Sequence, residues 1–428
     1  MNPSVEISRM LDGKVVADAI DTDCGIPYCF FLSTYLRECF DSYSSMEAAA
    51  HATLFGIQHY EKKGVDVLER VKTGLFFTSD EYDDFIYICK YKKEKAKQLT
   101  AEKVVSFEQL SSKQIDNLIH ETSQSEDRVA ENTYKGRLSY FKRYITYLYK
   151  LWHQAGNTPK DVVARFENFE ETISTDIRRT KSTNKVVRDP FEQAISTDVY
   201  FNMLEIIQPF CAKNPFTPSV RLRNQLIVLI LNETPIRLGA LCKLKISDLR
   251  VDDGAPRFHV TRTPNDPHDR RKRPAAQKTN AHIGSLTPET MRKLLLYIET
   301  DRNGYDDANT HDFIFVSAKK TPGQPLAKTS VQSIFDRLSQ ALDFHIHPHL
   351  FRHKWQEVFE VQAKKQGYTD EQINDMRKTA CGWSESSDMV RVYNEFRNAV
   401  LVQEMSKIRQ SEFMPKIDHS SKERVNEE

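Results

Sequence analysis

A chain of 428 residues is long enough for two or three packed domains, and its 14 glycines beside abundant Leu, Lys and Glu point to a mainly helical protein. Sixty-one Lys and Arg against 60 Asp and Glu leave a formal charge of +1, which excludes a uniformly basic surface; cations that meet a polyanion must gather on one face, with acid elsewhere, as in Asp301 to Asp312 and the tail Asn426-Glu427-Glu428. No apolar run approaches the roughly 20 residues of a bilayer span, Glu6 and Asp12 argue against a signal peptide, and seven scattered cysteines without a Cys-x-x-Cys pair read as reduced thiols of a cytoplasmic protein.

From Phe31 to Lys93 helical stretches alternate with glycine turns, as in Leu54-Phe55-Gly56-Ile57-Gln58-His59-Tyr60 followed by Val65 to Val71. Residues 1–100 are therefore expected to form an N-terminal helical region. Lys90 to Lys97 is basic and poor in apolar residues, the composition of a linker or an exposed helix end. From Asn132 to Trp152 the helical period is clear: Leu138, Phe141, Ile145, Leu148 and Trp152 make one apolar stripe, and Lys135, Arg137, Lys142, Arg143 and Lys150 lie opposite. Arg178 to Pro190 is basic, polar and closed by proline, which suits an extended linker between domains.

The next segment is apolar all round. Gln225 to Leu231 predicts a buried helix, which Pro235 ends by forcing Thr234 out of helical geometry. Arg237 then opens a new helix with Leu238, Leu241 and Leu244 toward the core, at a start whose backbone N–H groups favour an anion. Phe258 with Val260, and Ile283 with its flanks, alternate as two short strands around a long polar turn. Within that turn Arg270, Arg271, Lys272 and Arg273 read as charges that contact a phosphate backbone. Further on, Pro348-His349-Leu350-Phe351-Arg352-His353 predicts a helix start at which His349 and Arg352, three positions apart, share a face. An Arg fork beside an imidazole suits a phosphodiester, because Arg binds two phosphate oxygens and His moves protons near neutral pH. The four histidines His345, His347, His349 and His353 also raise a zinc site, but no carboxylate or thiolate lies in the cluster before Glu357. His353 is read as structural, and His345 and His347 as exposed. Trp383 lies in Cys381-Gly382-Trp383-Ser384, and Tyr393 follows; Phe396, Val400, Val402 and Met405 continue a helical pattern to about Ile408 before a polar tail.

In this order the motifs resemble those of the tyrosine recombinase, or phage integrase, family over roughly residues 190 to 400. The resemblance implies a catalytic set of Arg237, Lys278 on the β-hairpin, His349, Arg352, Trp383 and the nucleophile Tyr393. The implied reaction is site-specific strand cleavage and rejoining through a 3′-phosphotyrosine, with no cofactor and no metal. It also implies a mainly α fold with a small β-hairpin in the catalytic domain, and three parts: the N-terminal region 1–100, a helical core-binding DNA-binding domain 101–185, and a catalytic domain with C-terminal tail 186–428. Double-stranded DNA is the implied partner, bound by a homotetramer on two paired sites, with room for an accessory directionality factor. This sequence departs from the family pattern at Ala240, where a Glu is usual, at Pro235, where a Gly is usual, and at Trp383, where His is commoner; the interval from Trp383 to Tyr393 is one residue longer. Two other readings stay open, a type IB topoisomerase-like relaxing activity and a DNA-binding protein on an inactive recombinase scaffold.

Overall fold

The computed structural model describes residues 2–101, 127–153, 158–180 and 195–413, except Asp253, Pro264, Asn265, Pro267, Lys278 and Asp388; at several helical positions, Tyr393 among them, it describes the backbone alone. The linker proposed over Arg178 to Pro190 lies outside the described residues from position 181, as does Lys278. The chain divides into two compact units, Met1–Lys185 and Val186–Glu428.

The first unit opens with an antiparallel hairpin, β1 (Pro3–Arg9) paired with β2 (Val15–Asp21) from Pro3 opposite Asp21 to Arg9 opposite Val15. This corrects the helical expectation for the start of the chain. The sequence signal is Asp12-Gly13: Gly13 takes φ +83, a turn conformation that side chains with a Cβ disfavour. Helices α1 (Phe30–Cys39), α2 (Tyr43–Lys62), α3 (Val67–Lys72), α4 (Ser79–Ile88), α5 (Lys93–Ala101), α6 (Glu131–Trp152) and α7 (Lys160–Arg179) follow. Strand β2 is buried at nearly every position because α2 covers it, and α2 in turn packs on α6. Gly56 permits that approach, since a Cβ there would stand 2.5 Å from the Phe141 ring. Residues before and after position 100, such as Tyr60, Phe85, Phe141 and Phe169, share one hydrophobic cluster.

Helix α6 buries Leu138, Phe141, Ile145 and Leu148 as its period predicts, and Trp152 meets Phe31 edge to face at 5.1 Å. Its basic side is partly spent on the unit itself. Arg137 donates to the carbonyls of Cys89 and Tyr91 and lies 4.1 Å over the Phe55 ring, Arg143 bonds the Cys39 carbonyl at 2.8 Å, and Lys142 pairs with Glu170 at 3.3 Å. The stretch Lys90 to Lys97 is likewise more than a linker: Tyr91 and Ala96 are buried and α5 begins at Lys93.

The second unit holds α8 (Thr197–Ile206), α9 (Arg221–Glu233), α10 (Leu238–Leu241), a three-stranded antiparallel sheet of β3 (Leu249–Arg250), β4 (Arg257–Val260) and β5 (His282–Ser285), then α11 (Pro288–Tyr297), α12 (Lys328–Leu342), α13 (Pro348–Lys365), α14 (Asp370–Cys381) and α15 (Met389–Phe413). Phe258 and Val260 are buried as predicted, but Ile283 faces outward. The buried place on β5 belongs to Gly284, opposite Phe258, where a Cβ would fall 2.2 Å from the aromatic ring. Helix α9 is almost wholly buried and ends at Thr234, whose φ of −133 and ψ of 148 are extended, as Pro235 requires. Glu233 at its end accepts from the Thr287 N–H at 2.8 Å and the Thr290 hydroxyl at 2.5 Å, which ties α9 to the start of α11. Helix α15 runs to Phe413, beyond the end expected near Ile408, with Leu401, Val402, Met405, Ile408 and Phe413 exposed.

Candidate functional site

The bend between α9 and α10 carries Arg237 as the residue that caps α10, with φ −85 and ψ 152. Leu241 and Leu244 are buried behind it, and Leu238 is half-buried. Helix α10 is a single turn, so the anion-favouring field expected of a helix start is weak here, and charge must come from side chains. Gly239 in that turn is required by a close approach: a Cβ would stand 2.2 Å from the Ala276 carbonyl oxygen, so the irregular segment around Ala276 lies directly on α10.

Pro348 opens α13, so His349 and Arg352 stand three positions apart at its start, as the spacing predicts. Arg352 is 2% exposed. Its Nη1 donates to the Pro235 carbonyl oxygen, and its guanidinium lies over the Trp383 ring at 5.4 Å. Trp355, one turn on, donates from its indole N–H to the Glu233 carbonyl at 3.1 Å, so two side chains of α13 clamp the bend that carries Arg237. Ala240 is buried and supplies no carboxylate. Arg352 Nε and Nη2 have no hydrogen-bond partner among the described residues, and no described carboxylate lies within ion-pair distance. A buried guanidinium in that state is costly unless an anion completes it.

A cleft of roughly 510 Å³ opens beside these groups, lined by Arg237, Gly239, Lys328, His347, His349 and Arg352 among others. His345 at its edge is exposed, as expected, and His347 is half-buried. His349 reaches solvent, yet loss of water on its protein side, followed by the neighbouring Arg352, His347 and Arg237 charges, pushes its pKa below the ordinary imidazole value. It is therefore neutral near pH 7 and able to accept a proton. His353 packs edge to face against His349 at 4.7 Å, and burial with the adjacent His349, His347 and Arg352 pushes it down to about 4. Among the described residues no three His, Cys, Asp or Glu side chains converge as a metal-binding set.

Trp383 is buried at the corner after α14. Gly382 ends that helix in the left-handed region, φ 62, and the Trp383 N–H closes the turn on the Lys378 carbonyl at 2.9 Å. The corner brings in a residue the sequence did not flag: His282, first on β5, lies near Gly382, and burial together with the Arg352 and Arg237 charges holds its pKa below the ordinary value. Lys328, first on α12, is a second such residue, and it adds a cation to the cleft. Neither has a periodic sequence signature; both are brought in by long-range packing.

The basic loop divides in a way its sequence does not reveal. Arg270, Lys272 and Arg273 are exposed. Arg271 is not a surface charge: it forms a bidentate pair with Asp269, bonds the Cys242 carbonyl at 2.9 Å and the Leu326 carbonyl at 2.7 Å, and stacks 5.0 Å over Phe313. A carboxylate two positions away made the difference. Lys278 is outside the described residues, and Tyr393 is placed on α15 by its backbone only.

Residues 200–360, which include Arg237, His349 and Arg352, match the profile of the phage integrase family. A tyrosine recombinase of Agathobacter rectalis is 27% identical over 148 residues, 34% of this chain; the match spans 42% of that protein, less than half its length. Similar solved structures include XerH site-specific recombinase bound to a palindromic difH substrate, with 16% identity, TM-score 0.40, and coverage of 79% of this chain and 95% of that one. A lambda integrase dimer bound to a COC' core site gives 15% identity, TM-score 0.37, and coverage of 92% and 95%.

Proposed function

We propose, from the match of residues 200–360 to the phage integrase family, that this protein is a site-specific DNA recombinase that cuts and rejoins strands through Tyr393 and thereby mobilises or integrates a genetic element. The observation that carries this reading is Arg352: a buried guanidinium without a described carboxylate, held by the Pro235 carbonyl, with two nitrogens unspent at the edge of a cleft that also holds Arg237. A phosphodiester is the anion such a fork fits, since two parallel N–H donors match two non-bridging oxygens.

In the proposed step Tyr393 Oη bonds to the scissile phosphorus as the bond to the 5′-oxygen breaks. The phenolic proton passes to His349, whose depressed pKa makes it an acceptor at neutral pH. Lys278 gives a proton to the departing 5′-oxygen, and Arg237 and Arg352 neutralise charge that grows on the non-bridging oxygens. Trp383 holds the Arg352 plane. The phosphotyrosine conserves the bond energy, so attack by a 5′-hydroxyl of another duplex reverses the step without ATP or metal. The exposed apolar row of α15, Leu401 to Phe413, favours assembly of copies, which supports a homotetramer on two paired DNA sites.

The test uses the full chain, a duplex selected from a random pool by binding to it, and a supercoiled plasmid carrying two marked copies of that duplex, in buffer with EDTA. Recombinant junctions are expected. Relaxed circles without junctions would replace recombination by topoisomerase activity, and neither product would overturn strand cleavage altogether.

A further inference from the structure

We propose that His282, Asn280 and Gly382 form a clasp that positions two parts of the strand-cleaving site against each other, the segment that follows Lys278 in sequence and the corner bearing Trp383. This rests on the recombinase reading for its function, though not for its geometry. The Asn280 N–H donates to the Gly382 carbonyl at 2.9 Å, and His282 Nδ1 lies 2.9 Å from the Asn280 carbonyl oxygen. A carbonyl only accepts, so Nδ1 carries the proton and Nε2 presents a lone pair. Gly382 completes the clasp. A Cβ there would stand 2.5 Å from His282 Nδ1 and 2.6 Å from the Asn280 oxygen, so only glycine lets ring and carbonyl come so close.

Each side of the clasp leads to a group in the proposed reaction. Lys278 precedes Asn280 by two residues in the chain, so a change at Asn280 is expected to be felt in the lysine's proposed role. On the other side Gly382 adjoins Trp383, over which Arg352 lies at 5.4 Å. The corner is also braced from behind: Gln356 Nε2 bonds Cys381 Sγ at 2.9 Å, and the Gln356 carbonyl accepts from Arg377, which pairs with Glu360 at 2.6 Å. A packing role alone does not account for an imidazole. His282 already pairs with Val260 in the sheet, and its Nε2 is buried without a hydrogen-bond partner among the described residues, a cost that an apolar residue would avoid. The retained feature is the Nδ1–H bond that closes the clasp, which makes His282 a positioning residue.

The experiment compares the full-length protein with His282→Ala, His282→Asn and Arg352→Ala on nicked duplexes of the selected site, with either an ordinary scissile phosphodiester or one whose 5′-bridging oxygen is sulfur. A thiolate leaves without taking a proton, so the sulfur substrate does not need the lysine. His282→Ala is expected to bind DNA as the wild type does, to cleave the ordinary substrate about 10- to 100-fold more slowly, and to recover to within a few-fold of wild type on the sulfur substrate. His282→Asn, whose amide can donate to the same carbonyl, keeps most of the ordinary activity, and Arg352→Ala gains nothing from sulfur. A wild-type rate for His282→Ala on the ordinary substrate, or a defect that sulfur leaves in place, overturns the proposal. Hydrogen exchange separates the clasp from the chemistry. If the wild type cleaves neither substrate, the recombinase reading fails, and the Asn280 amide then decides: faster exchange in His282→Ala upholds the clasp, and unchanged exchange removes it.

Discussion

Buried arginines of the second unit differ in what their nitrogens touch. Arg223 spends its guanidinium on Asn224 and the Val316 carbonyl, Arg302 on the carbonyls of Phe313, Ala308 and His311, and Arg377 on Glu360. These are internal braces. Arg377 leaves only Nε without a described partner, whereas Arg352, as deeply buried, leaves both Nε and Nη2, the donors that the proposed phosphate would complete. Replacing a buried charge of this kind by an apolar side chain is often neutral or stabilising. Arg352→Met is therefore expected to unfold in urea with stability equal to wild type or about 1 kcal/mol higher, while cleavage of a nicked duplex falls by about 10²- to 10³-fold. His353 gives a pH prediction. Its folded pKa of about 4 is below the unfolded value, so the unfolded chain binds the proton first, and stability present above about pH 6.5 is lost as pH falls toward 4. Urea melts between pH 7.5 and 5 should show that loss, and His353→Gln should reduce it by roughly 1 to 3 kcal/mol.

At the scale of elements, the site is an agreement between a bend and a helix start. Pro235 stops α9 and Pro348 starts α13, so the positions of Arg237, His349 and Arg352 follow from local chain geometry and were legible in the sequence. The alternation of Phe258 and Val260 gave the first hairpin strand for the same reason. What was not legible depends on contacts across the chain: His282 reaches Gly382 a hundred positions away, Lys328 enters the cleft from another helix, and Arg271 is withdrawn from the surface by Asp269 and two distant carbonyls. The strand β5 shows the limit of pattern reading, because the buried position fell to Gly284 rather than Ile283 to make room for the Phe258 ring. Gly239 has the same logic. Gly239→Ala sets a methyl against the Ala276 carbonyl and should cost about 1–3 kcal/mol in urea unfolding while shifting the hairpin flank away from α10. A wild-type midpoint for that variant would show that the two elements do not pack this closely in solution.

Over the whole molecule, the proposed DNA binding would have to draw on local concentration of basic charge, since the formal charge is only +1. The structure narrows the supply: Arg271 in the loop and Arg137, Arg143 and Lys142 on α6 are bonded internally, whereas Arg270 and Lys272 are exposed. Affinity for the selected duplex should fall steeply with salt, and Arg270→Ala with Lys272→Ala should make the log–log slope shallower by about 2, the loss of two phosphate contacts. An unchanged slope would move the contact surface elsewhere. The two compact units each contain a hydrophobic cluster of their own. In the proposed reaction Tyr393 becomes joined to DNA. The direct measurement of that step is the covalent adduct formed by the full chain on a nicked selected duplex in EDTA, followed by mapping of the modified peptide. The wild type is expected to carry a 3′-phosphotyrosine on Tyr393, and Tyr393→Phe to bind the duplex equally well and form no adduct; an adduct in Tyr393→Phe, or one mapped to another residue in the wild type, would contradict the account.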